Sequence, residues 1–261
     1  MKNYVVTLGE IMLRLKSPGF ERLLQNPVLE ATFGGSESNV AISLANFGIN
    51  SRFVTALPNN NLGLVAIKFL KSMSVDTSYI RMQGERLGTY YLEAGSGPRP
   101  SKVIYDRSNS SISQANLEDF DWDSIFKDVK WLHISGITPA LSQKSADLSL
   151  QVIKMARDLG IKISCDLNYR KNLWNYGRTA QEIMNNIVPL IDIIIGNEED
   201  LQKTLGIELD QKIGNEKLES RKYEKLLKQV SIQFPNVKMI ATTLRESYSA
   251  DHNDWSALCY E

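Results

Sequence analysis

Polar residues that could bind a small molecule follow a strand-like run near the start of the 261-residue chain. Gly34 and Gly35 stand directly before Ser36, Ser38 and Asn39, where a helix-like segment begins. Adjacent glycines let a backbone take positive φ and approach a ligand closely, and either serine is a natural helix N-cap. The asparagine amide offers a donor and an acceptor to a hydroxyl group. The group predicts a polar floor for a ligand; the alternative is a glycine turn before a buried helix.

Asp166, Asn168 and Arg170 form a second polar group, at the end of the strand-like run 161–166. A planar guanidinium can hold a carboxylate by two hydrogen bonds, so the group predicts an anion site. The alternative is a helix cap with a surface ion pair, which would contribute little to stability.

Asn197 and Asp200 follow another apolar run, residues 191–195. Polar groups in the first turn of a helix are explained by capping and by the helix macrodipole alone. By themselves, these residues predict a capped helix start at the end of a strand.

Strand-like and helix-like segments alternate along the chain, and this alternation is typical of a doubly wound parallel sheet with helices on both faces. Ligands on such sheets bind at the carboxyl ends of the strands, where these polar groups lie. In the first helix, Val40, Leu44 and Phe47 recur at helical spacing with the small residues Ala41 and Ala45 beside them, which predicts one tightly buried face, and Gly48 ends the helix. Strands are predicted near residues 4–8, 53–57, 131–134, 161–166, 191–195 and 237–242, and helices near 40–48, 62–73, 117–127, 142–159, 178–189, 198–205 and within 216–234.

A second, smaller sheet is predicted from segments that the alternation does not use. Residues 11–16 alternate between apolar and polar side chains, and residues 89–93 and 102–107 are joined by a loop rich in glycine and proline. Residues 29–33 can return as a partner strand. Such a sheet is a candidate lid. The polar segment 208–221 is predicted to be a surface connection.

Composition excludes several classes of protein. Lys plus Arg and Asp plus Glu both total 30, so no net charge attracts the chain to nucleic acid or to an anionic membrane. His133, His252, Cys165 and Cys259 are too few for a disulfide framework or a structural zinc site. Without an apolar leader or a run long enough to span a bilayer, we expect a cytoplasmic protein.

The Gly-Gly group with Asn39 resembles the first signature of the ribokinase-like, or PfkB, carbohydrate kinases. Residues 135–141 and the Asp-x-Asn-x-Arg pattern at 166–170 resemble the 2-keto-3-deoxygluconate kinase branch of that family. The resemblance implies one α/β domain over residues 1–261: a three-layer α/β/α sandwich with a mostly parallel central sheet and a β-sheet lid near 11–33 and 88–108. It implies phosphoryl transfer from ATP, with Mg²⁺, to a sugar acid.

The resemblance also implies which residues contact the sugar acid. Arg14 lies on a lid strand where many relatives that act on neutral sugars have an aspartate, and an added cation favours an acid. For the lid tyrosines, the alternative is ordinary strand aromatics. The residues implied to bind substrate are Gly34, Gly35, Asn39, Tyr90, Tyr105, Arg107, Asp166, Arg170 and Arg14.

For the nucleotide, the resemblance points to two further segments. The family has an Asn-x-x-Glu motif that organises magnesium and phosphate through water, and here Asn197 is followed by Asp200 in the Glu position. Thr243 and Arg245 follow the predicted strand 237–242, where relatives have a nucleotide loop, and Arg245 is positioned in sequence to meet a phosphate.

The second signature of the family, a Gly-Ala-Gly-Asp helix start that carries the catalytic base, does not occur in the 261 residues. We therefore assign no catalytic base and expect no useful phosphoryl transfer from this chain as written. The favoured interpretation is the N-terminal part of a kinase; the alternatives are a sugar-acid-binding relative without kinase activity and a kinase of another sugar such as fructose or ribose. In relatives such lids often pair, which predicts a homodimer through the lid or a higher oligomer.

Overall fold

The computed structural model describes residues 3–207 and 220–261. The predicted surface connection at 208–221 lies almost wholly outside the described residues. Among the described residues, no helix is both long and apolar enough to cross a membrane. The chain divides into two compact units, the first formed by Met1–Asp128 and Ser247–Asp254 and the second by Val129–Glu246 and Trp255–Glu261.

The first unit is built on a parallel pair of strands, β1 (Tyr4–Leu8) and β4 (Ser51–Val54), covered by helices. A buried core joins Ala41 of the first helix and Phe53 of β4 to Ala66 and Leu70 of the second helix. The Asn60 side chain caps that second helix by accepting from the N–H groups of its first turn. The elements of this unit are β1 (Tyr4–Leu8), β2 (Met12–Lys16), β3 (Glu30–Gly34), α1 (Ser36–Asn46), β4 (Ser51–Val54), β5 (Ala56–Leu57), α2 (Asn61–Ser72), β6 (Arg81–Met82), β7 (Thr89–Glu93), β8 (Lys102–Asp106) and α3 (Trp122–Ile125).

Four strands of this unit form a sheet of their own in the order β3-β2-β7-β8. β2 runs antiparallel to β3 and parallel to β7, and β7 runs antiparallel to β8. Leu13 and Phe33 pack against the core cluster, which attaches this sheet to the rest of the unit. The predicted separate lid sheet is confirmed, and we call it the lid sheet.

Helix α1 buries the small residues of the predicted face, but not Phe47. Ala41 is fully buried and Ala45 packs against the core, whereas the Phe47 side chain is 79% exposed. The N-cap is Gly35, so Ser36 is the first helical residue and neither serine is the cap. Small residues face the strands because the helix lies close to them.

The second unit contains parallel strands alternating with helices. β9 pairs in parallel with β10, β10 with β11, and β11 with β12. The order of strands is β13-β12-β11-β10-β9. The predicted α/β class is confirmed. The elements are β9 (Val129–Ser135), α4 (Gln143–Asp158), β10 (Lys162–Asp166), α5 (Ala180–Ile187), β11 (Ile193–Gly196), α6 (Glu198–Leu205), α7 (Ser220–Gln233), β12 (Met239–Ser247) and β13 (Asn253–Tyr260).

Two further predictions are corrected by the structure. The helix predicted at 117–127 is only a 3₁₀ turn and the single turn of α3, because Trp122 packs its ring against Phe120 and Phe126 and organises the segment instead. β12 continues to Ser247, so Thr243 and Arg245 lie within a strand and not in a loop after it.

Candidate functional site

Close contacts require glycine at the junction of β3 and α1. A Cβ atom on Gly35 would lie 2.0 Å from the carbonyl oxygen of Glu10, and one on Gly34 would lie 3.0 Å from the Tyr90 hydroxyl. Gly35 has a φ of 179°, an extended conformation that any residue adopts, and Gly34 is not at positive φ either. The expected positive φ is therefore wrong. Glycine is required here because other segments of the same chain, at Glu10 and Tyr90, approach the loop closely.

One face of the lid sheet carries a row of polar and aromatic side chains. Thr32, Arg14, Tyr90 and Tyr105 are cross-strand neighbours on β3, β2, β7 and β8. Arg14 Nε donates to Thr32 Oγ1 at 2.9 Å, and the two tyrosine rings lie 5.8 Å apart between centroids. Burial raises the pKa of Tyr90, partly offset by Arg14, so its hydroxyl stays neutral. We call these four residues the lid row.

The Gly-Gly junction and the lid row lie together. The Tyr90 hydroxyl lies beside Gly34, and Asn39 Oδ1 is 3.9 Å from the position of a Cβ on the same glycine. Asn39 itself is exposed at the start of α1. Within the first unit, the structure thus brings together an amide, phenolic hydroxyls and the Arg14 guanidinium, a set that suits a polyhydroxylated anion.

Arg107 is placed differently from the other predicted substrate residues. It follows β8, is 7% exposed, and donates from Nε to Glu10 Oε2 at 2.7 Å, with a second bond from Nη2 to the same oxygen. Its guanidinium carbon lies 5.5 Å from the centre of the Tyr105 ring. Sequence reasoning missed Glu10. A carboxylate after the first strand was visible, but its partner lies 97 positions further on.

In the second unit, the ends of β9, β10 and β11 converge. The Gly136 N–H donates to the Asp166 carbonyl at 2.8 Å, and a Cβ on Gly136 would lie 2.2 Å from the Leu167 carbonyl oxygen. Asn168 has a φ of +40°, a left-handed conformation that asparagine tolerates, and its backbone N–H donates back to the Asp166 carboxylate. The Asp-x-Asn pattern therefore builds a tight turn at the end of β10.

Two carboxylates meet at these strand ends. Burial and the neighbouring carboxylate of Asp200 raise the pKa of Asp166 to about 6. Burial also raises the pKa of Asp200, although backbone donors offset part of the effect. Two buried like charges cannot both ionise cheaply, so a cation near them would be stabilised.

Asp200 has a clear structural role. Its Oδ1 accepts from the Tyr169 N–H at 2.8 Å and its Oδ2 from the Asn197 N–H at 3.0 Å. Asn197 Oδ1 accepts in turn from the Asp200 N–H at 2.9 Å, which completes a capping box at the start of α6. The capping interpretation of this motif is thus confirmed, and any metal contact would be additional to it.

The predicted cations of the second unit are exposed. Arg170 donates to the Tyr169 carbonyl at 2.9 Å, and its charge offsets part of the rise in the pKa of Asp166 and of Asp200. On β12, Thr242 and Leu244 are buried while Thr243 and Arg245 are exposed, as expected for alternating strand residues. The Arg245 guanidinium lies 5.3 Å from the centre of the Trp255 ring.

The donor set of the second unit fits a hydrated magnesium ion. Magnesium is usually held by one or two carboxylates and keeps several waters. Asp166 and Asp200 supply that number, and their mutual repulsion would be relieved by a divalent cation. Among the described residues, no cluster of three or more His, Cys, Asp or Glu could hold a metal directly.

The alternating strands, the separate lid sheet and the Gly-Gly junction define a sugar kinase fold of one family. The model of the pfkB family carbohydrate kinases matches residues 2–244, and the chain belongs to this family.

Among solved structures, the chain is similar to the 2-dehydro-3-deoxygluconokinase of Thermotoga maritima, at 43% identity and a TM-score of 0.92, covering 100% of this chain and 77% of that one. Among curated proteins, the 2-dehydro-3-deoxygalactonokinase of Haloferax volcanii is 33% identical over 79% of this chain. The 2-dehydro-3-deoxygluconokinase of Bacillus subtilis is 32% identical over 74%. The chain spans 64% and 59% of the length of these two curated relatives.

Proposed function

We propose that this protein is an ATP-dependent kinase that phosphorylates a primary hydroxyl of 2-keto-3-deoxygluconate. The observation that carries the proposal is the lid row beside the Gly-Gly junction, in which the Arg14 guanidinium lies among tyrosine and threonine hydroxyls. Such a set recognises an anion that also carries hydroxyl groups. Family membership and the relatives that phosphorylate 2-dehydro-3-deoxy sugar acids support the same assignment.

We assign the substrate contacts as follows. The backbone of Gly34 and Gly35 lines the sugar, and Asn39 and Tyr90 hydrogen-bond its hydroxyls. Tyr105 gives the sugar ring or chain an aromatic surface. The acid group is bound by cations. The residues assigned to the acid end are Arg14, Arg107 and Arg170, together with Asp166, which precedes Arg170 in the Asp-x-Asn-x-Arg pattern.

ATP and Mg²⁺ are assigned to residues of the second unit. Asn197 and Asp200 would organise a hydrated magnesium ion, and Thr243 and Arg245 would contact the nucleotide from exposed positions on β12. When bound, magnesium neutralises charge on the phosphates and so assists phosphoryl transfer. Asp166, with its raised pKa, is partly protonated near pH 6 and can accept a cation once it ionises.

Because the Gly-Ala-Gly-Asp segment of the family does not occur in these 261 residues, the test is an assay of ADP release, with ATP and magnesium, by a form of the protein that includes such a segment. We expect 2-keto-3-deoxygluconate to give the highest kcat/KM, with its galactonate epimer and the neutral sugars fructose and ribose as parallel substrates. A faster reaction with a neutral sugar would contradict the acid assignment. A faster reaction with the epimer would support the assignment to a sugar acid but would identify the epimer as the substrate.

Binding of the acid without turnover is a separate outcome. Calorimetric titration of the same preparation with 2-keto-3-deoxygluconate measures binding independently of phosphoryl transfer. Binding with no ADP release would favour the alternative of a sugar-acid-binding relative. Absence of both would contradict the proposed function.

A further inference from the structure

Glu10 and Arg107 form a buried ion pair within the first unit. Glu10 is 3% exposed and Arg107 7%, and both hydrogen bonds from the guanidinium end on Glu10 Oε2. The other carboxylate oxygen, Oε1, is buried and has no hydrogen-bond partner among the described residues. The charge of Glu10 is therefore balanced by Arg107 alone within the part of the chain that the structure describes.

Glycines on two sides make room for Glu10. A Cβ on Gly88 would lie 2.5 Å from Glu10 Oε1, and a Cβ on Gly35 would lie 2.0 Å from the Glu10 carbonyl oxygen. The backbone of this one residue thus touches the Gly-Gly junction, while its side chain reaches the start of β7 and the residue after β8. Glu10 therefore contacts both the Gly-Gly junction and the lid sheet.

The hydrogen bonds also determine which edge of the guanidinium is occupied. A guanidinium can bind a carboxylate through its Nε–Nη2 edge or through its Nη1–Nη2 edge. In Arg107, Nε and Nη2 are directed at Glu10, so neither of these two bonds uses Nη1.

We propose that Glu10 is a positioning residue for the kinase reaction: it holds Arg107 so that its Nη1 end meets the sugar acid beside Tyr105. This inference rests on the proposed function. Glu10 does not touch the substrate in this role. It acts only through Arg107, and this dependence can be measured.

The experiment is a double-mutant cycle read out by calorimetric binding of 2-keto-3-deoxygluconate to the purified protein. We expect Glu10→Ala to weaken binding about tenfold and Arg107→Ala by about ten- to a hundredfold, the loss typical of a charge-assisted contact. The double variant should bind no more weakly than Arg107→Ala alone, because Glu10 has nothing left to position. Glu10→Gln keeps an acceptor for Arg107 and should bind within about threefold of the unchanged protein.

Asp76→Ala is the matched control. Asp76 forms a partly buried ion pair in the same unit, with Arg52 at 3.0 Å, and neither residue belongs to the lid row or the Gly-Gly junction. We expect this variant to lower Tm without changing the Kd for the acid. If Arg107→Ala does not fold, the contrast between Glu10→Ala and Glu10→Gln at equal folded content, measured by circular dichroism, decides the question.

The outcomes separate the two proposals. If the unchanged protein binds no sugar acid, the proposed function falls and the positioning role falls with it. If it binds and Glu10→Ala binds equally well, only the positioning role is overturned. If Glu10→Ala weakens binding by the same factor with and without Arg107, Glu10 acts independently of Arg107 and the inference is wrong.

Discussion

At the scale of single residues, Asp166 makes stability depend on pH. Its pKa of about 6 lies above the ordinary value of 3.8 because the carboxyl group is buried near Asp200. Between those values the folded protein binds more protons than the unfolded chain, so the free energy of unfolding decreases as pH rises through this window. Above pH 6 the folded protein carries the full cost of the ionised group, of the order of 3 kcal/mol.

Asp166→Asn should therefore stabilise the protein at neutral pH. Urea denaturation should show a gain of about 1–3 kcal/mol near pH 7.5 and almost none near pH 4, where both proteins are uncharged at this position. Asp147→Asn, at an exposed carboxylate on α4, is the control and should show no such trend. A gain for Asp166→Asn that is equal at both pH values would contradict the proposed origin of the shift.

Arg170 is expected to act on substrate and not on stability. Its side chain is exposed, so Arg170→Ala should change the free energy of unfolding by less than about 0.5 kcal/mol. In the ADP-release assay of the protein that includes the Gly-Ala-Gly-Asp segment, the KM for the sugar acid should rise about ten- to a hundredfold, while the KM for ATP stays constant. Arg178→Ala removes another exposed arginine, paired with Glu182 at 3.6 Å, and should leave both values unchanged. Loss of ATP affinity with intact sugar binding would refute the assignment.

Residue types could be predicted from the sequence, but their partners could not. The Gly-Gly pair was predicted to approach a ligand closely, and the structure shows a close approach to the Glu10 carbonyl, which lies on a different strand connection. Arg107 was identified as a cation of the lid, and its pairing with Glu10 across 97 positions leaves no local signal. Such partners are determined by tertiary structure, which one sequence does not display.

At the scale of elements, the first turn of α6 combines a structural and a proposed functional role. Asn197 and Asp200 cap this helix reciprocally, and Thr179 and Glu182 form the same capping box at α5. The two boxes are chemically alike, but only the first is assigned to the nucleotide. This makes them a matched pair for separating stability from binding.

Asn197→Ala and Thr179→Ala should each lower the free energy of unfolding by about 1 kcal/mol, the usual cost of an N-cap. Only Asn197→Ala should also raise the KM for ATP in the ADP-release assay, because only this residue is assigned to the nucleotide. If the two variants behave alike in both measurements, Asn197 is a cap and nothing more.

Elements with strong periodicity were predicted well. A segment that is organised by aromatic packing and a strand that is longer than predicted were not. The strand Thr89–Glu93 and the helix Glu198–Leu205 have the predicted bounds. The segment around Trp122 looked helical because it is apolar at helical spacing, but ring packing leaves it a single turn. β12 runs past Thr243 because its residues alternate between buried and exposed sides, a signal that was visible in retrospect.

At the scale of the whole molecule, the lid sheet has two faces with different chemistry. The lid row occupies one face. On the other, Ala31, Leu15, Tyr91 and Ile104 are cross-strand neighbours, and the Ile104 side chain is 55% exposed. Side chains alternate along a strand, so Val103, 43% exposed, belongs to the face of the lid row. An apolar row on an exposed sheet is a surface suited to a second copy of the lid.

We therefore expect the protein to form a homodimer through the face that carries Ile104. Sedimentation velocity should show a dimer for the unchanged protein and a monomer for Ile104→Glu. An unpaired carboxylate buried in the interface costs more free energy than the remaining apolar contacts across the interface contribute. Val103→Glu places the same charge one residue away on the opposite face and should remain dimeric. A monomeric unchanged protein, or dissociation of both variants alike, would contradict pairing through this face. If only the Val103→Glu variant is monomeric, the dimer forms through the face of the lid row. The second copy, and not the sugar acid, would then cover the side of the sheet that carries Arg14.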